Sequence, residues 1–144
     1  MQFENAFAAE KDEEFCREIA KFIGNATESS HEVSLLTSWG EGLEPNSKSL
    51  TFFAKRCEHG NQEPGKSFCS FLMKNSSVEF PESNLRRIVA CFDPKIRDLG
   101  WETHVNGIEV SAPSNPGRPR DLSVTLSNRE KGPGQQMRVN VLIH

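Results

Sequence analysis

Thiol and imidazole groups cluster at Cys57-Glu58-His59 and Cys69, and together these are zinc-ligand chemistry. A structural zinc site needs a fourth ligand and usually short C-x-x-C spacings, and this stretch supplies neither. No metal site is therefore assigned. If the flanking segments form a hairpin, Cys57 and Cys69 face each other on adjacent strands, where they pack or, if oxidised, bridge. Packing is the expectation, with zinc or a disulfide as alternatives. Cys16 and Cys91 complete a set of four cysteines, which read as small hydrophobes kept reduced in a cytosol.

His104 and Glu109 form the second candidate constellation. A carboxylate beside an imidazole holds the ring in one tautomer and orientation, as a general base and its orienting group require. A cross-strand His–Glu pair on a solvated face also occurs without catalysis. No serine lies in a G-x-S-x-G elbow, so no acyl-transfer nucleophile is nominated. Gly40-Glu41-Gly42 lacks the third glycine and adjoining helix of a dinucleotide loop, so no cofactor is assigned.

The acidic residues Glu10, Asp12, Glu13 and Glu14 are the densest negative charge in the chain and the candidate surface for a basic protein partner. They also suit the beginning of a helix, whose dipole favours negative charge there. Pro116-Gly117-Arg118-Pro119-Arg120 resembles the Gly-Arg-Pro core of the AT-hook, a segment that lays arginines along the minor groove. That resemblance implies DNA contact through Arg118 and Arg120. The formal net charge of −3 and pI near 5.8 argue against nucleic acid and anionic membranes, which attract clustered Lys and Arg. The triplets Asn25-Ala26-Thr27 and Asn75-Ser76-Ser77 match the N-glycosylation pattern, which acts only in a secretory pathway. Nothing else in the sequence supports such a pathway, and they read as chance.

The elements that must position these groups follow from periodicity. Phe15, Ile19, Phe22 and Ile23 recur at i, i+4, i+7 and i+8, which predicts an amphipathic helix over 8–23 closed by Gly24. From His31 to Trp39 the pattern alternates, placing Val33, Leu35, Thr37 and Trp39 on one strand face. Leu50–Arg56 and Ser67–Lys74, separated by a Gly- and Pro-bearing loop, read as a second and third strand. Pro81 followed by Leu85, Ile88, Val89 and Phe92 predicts a second amphipathic helix. Asn106-Gly107 between alternating residues predicts a two-residue hairpin turn, with both residues at positive φ. Leu122, Val124 and Leu126 against Met137, Val139, Val141 and Ile143 make the last hairpin.

The predicted class is α+β, in the order α-β-β-β-α-β-β-β-β, with a predominantly antiparallel sheet. A chain of 144 residues suits one globular domain over 1–144, and ten Phe and two Trp supply core volume despite a hydrophobic fraction of 35%. The start Met1-Gln2-Phe3-Glu4-Asn5 is not basic and then apolar, and no stretch reaches the roughly 18 to 20 apolar residues of a membrane span. A soluble, cytoplasmic protein is expected. The helix, three strands, helix order is similar to type III secretion chaperones, and the size and acidity are similar to bacterial immunity proteins. The expected function is a non-enzymatic protein-interaction module; the alternative is a small hydrolase-type enzyme using His104 and Glu109.

Overall fold

The computed structural model describes residues 2–40, 53–93, 95, 107–112, 120–130 and 132–143, with 2–12 and 108–112 described in backbone only. The first helix, α1, spans Gln2–Asn25. Phe15, Ile19, Phe22 and Ile23 are all buried, so the stripe set by their spacing is the face that packs. The helix is longer than its apolar period suggests and passes through Gly24 to Asn25. At its end, Arg120 Nη1 donates to the carbonyls of Ile23 at 2.6 Å and Ala26 at 3.1 Å, a cation on the negative pole of the helix.

Two strands follow, β1 at Glu32–Trp39 and β2 at Phe53–Glu58, then α2 at Gly65–Asn75 and α3 at Pro81–Ala90. The chain closes with β3 at Gly107–Ala112, β4 at Arg120–Asn128 and β5 at Gln135–Ile143. The strands form one antiparallel sheet in the order β2-β1-β5-β4-β3, which brings the first strand beside the last. Register lines up apolar rows across it: Val33 faces Val139, which faces Val124, and Leu35 faces Met137, which faces Leu126. These rows join Phe15, Ile19 and Phe22 of α1, Phe68 and Leu72 of α2, and Leu85, Ile88 and Val89 of α3 in one core. The helices therefore lie on one sheet face. The opposite face carries polar groups, with Glu32 paired to Arg138 at 2.8 Å and Gln136 donating to Ser34 Oγ, alongside Leu36 and Leu142.

The turn into β5 depends on Gly134, whose φ is +129°. A Cβ there would overlap the Thr37 carbonyl oxygen, so only glycine lets this turn close against β1. Between α2 and α3, buried Asn84 accepts from Ser77 N and donates to Ser77 O, both at 2.7 Å. Both polar functions of its amide are thus satisfied, which removes the cost of burying it.

The α+β class and antiparallel sheet agree with the sequence reading, as do β1, α3 and the β4–β5 pair. The expected third strand is a helix. Ser67–Lys74 lies in α2, and its buried residues Gly65, Phe68, Cys69 and Leu72 follow a helical period. A short aromatic-rich run is ambiguous between strand and helix when read alone, and packing against β1 and β2 settled it. The order over the described residues is thus α-β-β-α-α-β-β-β, without the three-strand run behind the secretion-chaperone resemblance. Of the Asn106-Gly107 turn, Asn106 and the strand before it lie outside the described residues, while Gly107 opens β3 opposite Thr125. Among the described residues, no helix is long and apolar enough to cross a membrane.

All four cysteines are paired, which corrects the expectation of reduced thiols. Cys16 of α1 bonds Cys91, just past α3, and Cys57 of β2 bonds Cys69 of α2; each Cα–Cα distance is 5.5 Å. The first bridge ties α1 to the residue that follows α3 across 75 residues of sequence, a contact that no local pattern announces.

Candidate functional site

Residues nominated from sequence fall in four places. His104 lies outside the described residues, and Glu109 sits in β3 opposite Ser123. Cys57 and Cys69 are consumed by their disulfide, and His59 Nδ1 accepts from the backbone N–H of Asn61 at 2.9 Å. The zinc alternative for this cluster therefore loses both thiolates. Among the described residues, no group of three or more His, Cys, Asp or Glu could hold a metal ion.

Glu10, Asp12, Glu13 and Glu14 lie along the middle of α1 rather than in its first turn, because the helix begins at Gln2. The dipole argument for their placement therefore does not apply, since that effect fades within one turn. Glu13 and Glu14 are exposed, while the Glu10 and Asp12 side chains lie outside the described residues. Of the AT-hook-like segment only Arg120 is described, and its guanidinium is held by the carbonyls of Ile23 and Ala26 at the end of α1. In that position Arg120 is a structural group, turned into the fold rather than toward a groove.

A feature the sequence reading missed is an aromatic pair at one end of the sheet. Trp39 and Phe53 are direct cross-strand partners at the end of β1 and the start of β2. They share the helix-facing side with Leu35 and Thr37 but are 47% and 43% exposed. Lys55 Nζ, two residues from Phe53, donates to the carbonyl of Ser76, the residue that caps the end of α2, at 2.9 Å. That contact sets the end of α2 two residues along β2 from Phe53. Desolvation at this spot pushes the Lys55 ammonium below its ordinary range.

An open cleft of about 340 Å³ lies between α1 and the start of α2. Its floor is Phe22 stacked on Phe68, ring centres 4.8 Å apart. On its rim Glu18 pairs with Lys21 at 3.4 Å, and Glu63 accepts from the Ser67 hydroxyl and from Ser67 N. A serine hydrogen-bonded to a carboxylate at a helix start is a capping arrangement; a nucleophile would also need a base of near-neutral pKa. Among the described residues, no histidine lines this cleft.

Comparison of the chain with protein families, with curated proteins and with solved structures finds no match.

Proposed function

We propose that this chain is a non-enzymatic module that binds a protein partner in an oxidising compartment, with Trp39 and Phe53 as the anchor of the contact. The aromatic pair carries this reading. Single exposed hydrophobic residues are ordinary, but two large aromatic side chains side by side on paired strands make a contiguous, preorganised apolar surface. Residues of this kind dominate binding hot spots, and because each is a little under half exposed, covering the remainder contributes on the order of 1 kcal/mol apiece.

The disulfides support the compartment, because glutathione and thioredoxin keep structural thiols reduced in most cytosols. This weighs against the cytoplasmic expectation. It also weighs against a secretion chaperone, which would hold its cargo in the cytosol. Exposed Glu13 and Glu14 would steer a basic partner toward the domain, acting mainly on the association rate.

The test is capture of partners from the native source under non-reducing conditions, using the wild-type chain and Trp39→Ala/Phe53→Ala. A partner bound by the wild type and at least about tenfold more weakly by the double variant supports the reading, tenfold being 1.4 kcal/mol. Equal affinity for both chains rules out the aromatic anchor. Recovery of no partner, with a turnover activity abolished by His104→Ala, replaces the module with an enzyme.

A further inference from the structure

We infer that Asn25 and Asn75 are attachment sites for N-linked glycans. The inference rests on the oxidising-compartment reading and extends it to a specific modification. Both lie in the required triplet, Asn25-Ala26-Thr27 and Asn75-Ser76-Ser77, with no proline at the middle position. By itself such a triplet is weak. The two disulfides supply the context that the sequence lacked, since disulfide formation and N-glycosylation both belong to secretory folding.

Placement supplies the second argument. Both asparagines are exposed, and each is the last residue of its helix, Asn25 of α1 and Asn75 of α2. Each Nδ2 donates to the carbonyl four residues earlier, Lys21 and Phe71, at 2.9 Å. Glycosylation replaces one of the two amide hydrogens, so the other remains to donate, and no core residue has to move. The chain turns out of the helix within each triplet. Thr27 Oγ1 accepts from Ser30 N and Ser77 Oγ from Phe80 N, both at 3.0 Å. Asn84 gives the contrast: it is buried, both ends of its amide are bonded to Ser77, and Leu85-Arg86 follows it, so it has neither access nor triplet.

The chemistry needs a polyprenyl-diphosphate-linked oligosaccharide as donor. Nδ2 attacks the anomeric carbon of the first N-acetylglucosamine, the C1–O bond to the diphosphate breaks, and the lipid diphosphate leaves with the electron pair. A transferase base takes the proton that Nδ2 loses. A glycan on Asn25 would stand at the rim of the α1–α2 cleft, beside Glu63 and Pro64.

The experiment is intact-mass and peptide analysis of the protein isolated from its native source, before and after peptide N-glycosidase, under non-reducing and reducing conditions. The expected result is a mass above the polypeptide's 16.2 kDa that collapses on treatment, with aspartate replacing asparagine at 25 and 75. Asn25→Gln and Asn75→Gln should each remove one glycan. Unmodified asparagine at both positions overturns the inference, and at one position overturns it for that site. Bare asparagines with paired cysteines overturn it while leaving the oxidising-compartment reading standing. Bare asparagines with free thiols overturn both.

Discussion

Replacing Cys16 and Cys91 together by alanine should destabilise the domain more than replacing Cys57 and Cys69. In the loop-closure account a disulfide acts mainly by restricting the unfolded chain, and its effect grows with the logarithm of the loop it closes. The sequence separations are 75 and 12 residues. These loops correspond to about 4.5 and about 3 kcal/mol at 25 °C. The short loop lies inside the long one, which changes the longer figure little, so removing both bridges should cost about 7 kcal/mol. A domain's whole stability is about 5–15 kcal/mol, so full reduction should remove about half of it or more. At about 2.1 cal/mol/K per residue over 144 residues, the two single-bridge variants should melt about 15 °C and about 10 °C below the wild type. The assay is calorimetry or thermal circular dichroism on the two alanine pairs, with thiol titration of the denatured wild type. Equal shifts, or a loss below about 1 kcal/mol for the Cys16–Cys91 pair, would refute the loop argument. Free thiols in the purified wild type would refute the pairing itself.

Three further outcomes are expected. Phe22→Ala, which removes a ring that is 1% exposed and stacked on Phe68, should cost about 3–5 kcal/mol in urea unfolding; a loss under about 1 kcal/mol would contradict the packing of α1. Arg120→Met should cost about 2 kcal/mol by withdrawing charged donors from the end of α1, whereas an arginine serving only a nucleic acid would leave the melting temperature unchanged. Lys55 should titrate by NMR below the ordinary lysine value of 10.5, because desolvation disfavours its charged form. The unfolded chain then holds more protons as pH approaches 10.5, so this residue's contribution to stability should rise with pH there and vanish in Lys55→Met; titration at or above 10.5 would contradict its burial.

Some of this protein is written in short stretches of sequence. The buried stripe of α1, the alternation of β1, the Pro81 start of α3 and the facing strands β4 and β5 repeat with the period of their element. Burial of one face is enough to select such elements, so each is legible without the rest of the chain. Ser67–Lys74 marks the limit. Its apolar residues fit a helix, its aromatic content fits a strand, and only the space left between β1, β2 and α1 decides between them.

The candidate sites were less legible, because they depend on distance across the fold. The exposure of Trp39 and Phe53 depends on what packs over that end of the sheet, which no property of either residue encodes. Arg120 reads as a basic residue of a proline-rich segment until the end of α1 is placed beside it. Most consequentially, Cys16 and Cys91 are unremarkable small apolar residues in sequence, and only the approach of α1 to α3 makes them a bridge. The sequence alone determined the class of fold and most of its elements, since these follow from local period and one-sided burial. The tertiary structure decided which cysteines pair, and with it the compartment proposed for the protein, because a covalent bond between residues 75 apart requires that the chain first bring them together.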